Sequence, residues 1–207
     1  PVSLSGEDSM NSLYIILPLI ALFGLWLVYY SRRRSRMMKD FAHHRGLFYK
    51  PEDDGTLEQQ LNSNLTQDAR VNRTFYRVRD VAGDADVKLF QVIEALDLSY
   101  FGPPKNSYFN RIAVTRQTRK DARLFFRITD ALDANPVFME DESRVKSDPI
   151  FVSITEIVAR NPPPAPLSIT VMGGQFLAYF EPDISGSEDS GDLAYLYELA
   201  NEVKWVL

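Results

Sequence analysis

The apolar positions of this chain are first continuous, then spaced as in a helix, then alternate as in strands. From Leu13 to Tyr30, LYIILPLIALFGLWLVYY holds 18 residues with no charge and no strongly polar side chain. A helix of that length rises about 27 Å, close to the roughly 30 Å of a hydrocarbon core. A helix in a globular core would show a polar face over such a length. The pattern therefore predicts a transmembrane helix over residues 13–30, capped by Asn11 or Ser12 and slightly bent at Pro18. Tyr14 at one end and Trp26, Tyr29 and Tyr30 toward the other fit interfacial aromatics. A cleaved signal peptide would open with basic residues. Residues 1–12 hold Glu7 and Asp8 and neither Lys nor Arg, so the segment reads as an uncleaved anchor.

Basic residues set the expected orientation. Arg32, Arg33, Arg34, Arg36 and Lys39 follow the apolar run directly. The positive-inside rule then puts the short N-terminus outside a bacterial inner membrane and the C-terminal part in the cytoplasm. Arg32, Arg33, Arg34 and Arg36 would lie at the level of anionic lipid head groups. Helical spacing continues through Ser35–Arg45, with Met37, Met38 and Phe41 as its apolar edge and Gly46 as the residue that ends it. The resulting division is an extracytoplasmic N-terminus (1–12), an anchor (13–30), a basic juxtamembrane helix (31–46) and an α+β domain (47–207).

Beyond Gly46 the chain first turns, over Leu47–Gly55. Leu57, Leu61 and Leu65, at i, i+4 and i+8, predict a short helix capped by Thr56. Alternation then predicts strands at Thr74–Val81 and Asp86–Leu96, joined at Gly83-Asp84, and further strands at Asn110–Thr115, Ala122–Thr129, Pro136–Met139 and Ile150–Ile154. Leu167–Met172, Gly173-Gly174 and Gln175–Phe180 make a hairpin around a two-residue glycine turn. Leu193, Leu196, Tyr197, Ala200, Val203 and Leu207 form one apolar stripe on a final helix, about Gly191 to Val206. The expected fold class is α+β: a transmembrane helix, then an antiparallel sheet domain closed by a C-terminal amphipathic helix.

Composition narrows the chemistry. The 207 residues include no cysteine and only His43 and His44 as histidines. That excludes a disulfide scaffold, thiolate metal sites and a thiol nucleophile. Adjacent helical histidines diverge by about 100°, so they do not converge easily on one metal. No phosphate-binding glycine loop and no G-x-S-x-G elbow is present. Residues 40–207 carry 18 basic and 26 acidic residues, a net of −8, which disfavours nucleic-acid binding. The clusters Glu52-Asp53-Asp54, Glu140-Asp141-Glu142 and Glu188-Asp189 lack calcium-loop spacing and read as solvated loops. Asn161-Pro-Pro-Pro-Ala-Pro166 reads as a stiff connector. The segment from Tyr100 to Phe109 interleaves Tyr100, Phe101, Tyr108 and Phe109 with turn residues and is the candidate partner-binding loop.

The order of features resembles a broad group of uncharacterised bacterial single-pass membrane proteins. FAHHRG after the basic collar, SITVMGGQFLAYFEP and DLAYLYELANEVKWVL carry the resemblance. It implies no activity, no cofactor and no site residue. The expectation is a non-enzymatic accessory subunit of a larger membrane complex (respiratory, photosynthetic or transport), held by the lipid bilayer and by other subunits. The alternative is a membrane-tethered sensor or adaptor that binds a protein or small ligand.

Overall fold

The computed structural model describes residues 6–65, 73–97, 106–120, 122–128, 136–138, 142–180 and 189–206. The chain divides into two compact units, Pro1–Met37 and Met38–Leu207. Helix α1 (Gly6–Arg45) forms the first and gives its last turns to the second. Pro18 lies inside it without ending it, at the cost of one backbone hydrogen bond. Ten large apolar side chains from Ile16 to Tyr29 are exposed, from 47% at Ile16 to 68% at Leu25.

The helix expected over 13–30 is present, but its membrane assignment is not supported. Among the described residues no helix is long and apolar enough to cross a membrane. The run of 18 apolar residues stands at the lower end of the roughly 17–25 that a bilayer core asks for, and α1 continues straight into arginines. The single-pass placement at a bacterial inner membrane, N-terminus outside, is therefore withdrawn.

Within the second unit, α1 stops at Arg45. Gly46 adopts φ +66°, and Leu47 N–H donates to Ala42 O while Gly46 N–H donates to His43 O. These are the two bonds of a Schellman cap, with glycine at C′ as expected. The chain then enters β1 (Phe48–Glu52), a strand where a turn was expected. β1 is short, edge-lying and mostly exposed, and it carries Lys50, Pro51 and Glu52. Those are edge-protecting residues, which hide the strand from a pattern search.

Helix α2 (Thr56–Leu65) buries Leu57, Leu61 and Leu65, as their spacing predicts. Burying each leucine stabilises by about 1.5–3 kcal/mol. Its first turn is capped by Asp53, whose Oδ2 accepts from Leu57 N–H and Glu58 N–H at 3.0 and 3.1 Å, rather than by Thr56.

The remaining strands are β2 (Arg73–Gly83), β3 (Val87–Asp97), β4 (Asn106–Gln117), β5 (Leu124–Ile128), β6 (Pro136–Phe138), β7 (Leu167–Met172) and β8 (Gln175–Phe180). Among the described residues they form one eight-stranded antiparallel sheet, in the order β1-β2-β3-β4-β8-β7-β5-β6. The β7–β8 hairpin turns through Gly173 and Gly174, at φ +60° and +71°. Positive φ at both central residues is what a type I′ turn requires.

β2 departs from simple alternation. Its pairing with β3 shifts between Phe75 and Arg77 and again between Arg79 and Ala82. Each shift is a bulge with one extra residue on β2. The second contains Asp80 at φ +52°, the one non-glycine with positive φ among the described residues.

The run Ile150–Ile154, expected as a strand, is helical. Asp148 accepts from Ile150 N–H at 2.8 Å and Pro149 opens the first turn of α4 (Pro149–Arg160). Ile150, Phe151, Ile154, Ile157 and Val158 then share one buried face. A short helix, α3 (Glu142–Lys146), precedes it where a loop was expected. Helix α5 (Ser190–Glu202) starts with a reciprocal capping box between Asp189 and Asp192. A short 3-10 turn, Val203–Trp205, follows it.

The unit has three layers. α2 covers one sheet face, with Phe75, Val78, Phe90, Val92, Leu177 and Tyr179 beneath it. α5 lies over β3, β4 and β8 on the other face, with α4 beside it. There Phe126 meets Phe151 edge-on at 4.9 Å, and Phe180 meets Tyr195 at 5.6 Å.

Candidate interaction surface

The apolar surface of α1 has internal order. Phe23 stacks on Trp26 at 5.9 Å, and Trp26 stacks on Tyr30 at 5.6 Å. The Arg34 guanidinium carbon lies 4.6 Å from the centre of the Tyr30 ring. Spacings of three and four bring these residues onto one side of the helix. Planar stacking limits their rotamers, so a partner that covers them loses little side-chain entropy.

The expected anchor and head-group residues divide. Trp26 and Tyr29 are exposed, as are Arg32, Arg33 and Arg36, while Arg34 is buried. The structure does not describe the side chain of Tyr14. Tyr100 and Phe101 lie outside the described residues. Tyr108 and Phe109 belong to β4, opposite Ala95 and Glu94, rather than to a loop. The four aromatics are thus not one described site. His43 and His44 are exposed neighbours in α1, and His44 Nδ1 lies 2.7 Å from Asp40 O, one helical turn away.

Three of the polar centres among the described residues of the second unit involve ionisable groups. At the β2 bulge, the buried Asp80 carboxylate accepts from the Tyr49 hydroxyl and, at 3.0 Å, from Gln91 Nε2. Arg79 Nε lies 3.8 Å from it. Burial, and then the bond to Asp80, push the Tyr49 phenol well above its usual range, so it stays protonated and donating. The bulge swings Asp80 to the side of Gln91, and its left-handed backbone costs about 1–3 kcal/mol. The short polar side chain of aspartate tolerates this better than most. Nothing in RVRDVAG announces the bulge except that an Asp stands inside an alternating run.

The second centre joins β3 and β4. Arg111 Nε lies 3.5 Å from Glu94 Oε2, both residues are buried, and the guanidinium carbon sits 4.0 Å from the centre of the Tyr179 ring. The third lies where α5 meets the β2–β3 turn. Arg116 donates to Ala200 O and to Asp86, and the Tyr197 hydroxyl donates to Asp84 at 2.8 Å. Burial pushes the Asp84 carboxyl up, but donors at Val87 N–H, Tyr197 and Asp86 N–H outweigh it and leave the group below its usual range.

These centres tie elements together. A pocket of about 60 Å³ beneath α2, lined by Gln60, Lys88, Thr115, Gln117 and Gln175 among others, is a few water molecules in size. Sites for organic ligands are commonly about 300–1,000 Å³. Among the described residues, no group of three or more His, Asp or Glu side chains is arranged to hold a metal ion. Of the acidic clusters, Asp53 and Asp189 cap helices. Glu140, Asp141 and Glu188 lie outside the described residues.

No family model matches the chain, and no curated protein or solved structure is similar to it.

Proposed function

We propose that this chain is a non-enzymatic accessory subunit that assembles with partner proteins through α1. One observation carries the reading: ten large apolar side chains between Ile16 and Tyr29 are exposed on a single helix. Monomeric proteins rarely expose contiguous apolar patches beyond a few hundred Å², and larger ones mark interaction sites. The stacked Phe23, Trp26 and Tyr30 supply the rigid aromatic anchors on which interface energy usually concentrates. The polar centres of the second unit support a scaffold role, because their groups bond to one another across strands and helices.

The test is native gel electrophoresis of the chain after gentle extraction from its source cells. The unaltered chain should run in a species well above its own mass. A variant with Leu22, Leu25 and Tyr29 changed to Ser should run free, with an unchanged far-ultraviolet circular dichroism spectrum. Migration of the unaltered chain only as a free monomer would overturn the reading.

A further inference from the structure

One end of the second unit goes against its net charge. The turn between β4 and β5 presents Arg119, Lys120 and Arg123, all exposed. Lys120 Nζ donates to Val206 O at 2.7 Å, which brings the exposed Lys204 and Trp205 to the same place. Arg144 Nη2 donates to Arg123 O at 3.3 Å and so adds α3, with Lys146, to the border. Among the described residues none of Arg119, Lys120, Arg123 and Lys204 pairs with a carboxylate. Acids also border the patch: Glu202, exposed, two residues before Lys204, and Glu142 in α3, while Asp121, between Lys120 and Arg123, lies outside the described residues. Asp148, beyond α3, accepts from the N–H of Ile150. Trp205 is 84% exposed, and Lys204 Nζ lies 5.6 Å from the centre of its ring.

We infer that Arg119, Lys120, Arg123 and Lys204, with Trp205, form a docking surface for a short acidic segment of a protein partner. Unpaired cations on an acidic body attract carboxylates locally and steer their approach. An exposed indole supplies the apolar contact that a purely electrostatic patch lacks. The size of the patch selects the partner. A long polyanion would extend past these few cations onto a body of net −7 (19 basic and 26 acidic residues over Met38–Leu207), where it is repelled. A short run of Glu and Asp beside one apolar side chain fits within it. This surface is separate from α1 and does not depend on the reading given to that helix.

The test is fluorescence anisotropy of a labelled peptide of alternating Glu and Asp with one central Leu, titrated with the full chain. Binding should weaken by about tenfold or more when salt rises from about 0.02 to about 0.5 M. The triple variant Arg119→Glu/Lys120→Glu/Arg123→Glu should bind about tenfold more weakly or worse. Arg160→Glu, at the far end of α4, should bind as the unaltered chain does. With Trp26→Phe, Trp205 is the remaining tryptophan, and its emission should shift on peptide addition. Equal binding by the triple variant and the unaltered chain, or a silent Trp205, overturns the proposal. So does tighter binding of a single-stranded RNA of equal charge, or of vesicles of anionic phospholipid, than of the peptide. Circular dichroism of each variant separates loss of binding from loss of fold.

Discussion

The two units use the same apolar residue types in opposite ways. In α1, Leu17, Leu22 and Leu25 are about two-thirds exposed; in the second unit, Leu61, Leu89 and Leu177 are fully buried. The second unit has what burial requires, namely a second layer of matching period. Leucines at i, i+4 and i+8 on α2 meet alternate residues of β3 and β8 and the bulge-spaced Phe75, Val78 and Val81 of β2. In α1 the apolar residues run round the helix, so no single facing layer would cover them. Apolar content alone therefore says little about stability. Placement against a complementary layer decides whether a leucine holds the fold or offers a surface.

Substitutions test that contrast, and the largest effect is expected in the core. Leu61→Ala should destabilise the second unit by about 2–5 kcal/mol, because α2 and the sheet cannot close over the lost volume. A denaturant midpoint unchanged by that substitution would mean that α2 is not fastened to the sheet. Gly173→Ala comes next, at about 2–3 kcal/mol. It places a Cβ at positive φ and against the Asn64 backbone, so the turn has nowhere to yield.

Asp80→Ala should cost about 2 kcal/mol, since Tyr49 and Gln91 lose their common acceptor. Asp80→Asn, which tolerates the left-handed backbone, should cost less, and calorimetry of the pair checks the order. Alkaline titration should show a smaller loss. Burial raises the phenols of Tyr49, Tyr195 and Tyr197 above their unfolded values. Their contribution is complete below about pH 10 and fades as pH climbs through the folded values. Stability that stays level into strong alkali would argue against their burial. On the acid side, Asp84 is depressed, so its contribution holds above about pH 4 and fades below it. Burial raises Asp192, which works in the opposite sense and makes that limb shallow. The smallest effect belongs to α1: Leu22→Ala should shift unfolding of the second unit by less than about 0.5 kcal/mol. A larger shift would end the contrast between the units.

Much of the second unit was legible because local signals agreed with the final packing. The Gly173-Gly174 hairpin, the three leucines of α2 and the Gly46 cap each combine a spacing with a turn or end residue. The failures had physical causes. Ile150–Ile154 is rich in β-branched residues, and only Asp148-Pro149 ahead of it signals a helix start. β1 is masked by Pro51 and its charges, and the bulges of β2 leave no fixed mark. The basic end needed the fold, because Lys120 and Val206 are 86 positions apart and meet only once α5 is packed. The membrane reading combined apolar length, flanking aromatics and a basic collar, and no described helix is long and apolar enough to bear it out.

The two bulges have a consequence for how β2 can change. Phe75, Val78 and Val81 all belong to the core under α2, although they are three residues apart and a regular strand repeats every two. Each bulge adds one residue of phase, and together the two restore the same face twice. The strand therefore behaves like a message with two frameshifts that must be kept together. Removing Tyr76 alone would turn Phe75 away from the core or drag everything after it to the wrong face. Removing Asp80 alone would do the same to Val81. Many single replacements can be absorbed along β2, but a one-residue deletion needs a compensating insertion to keep the inner face apolar.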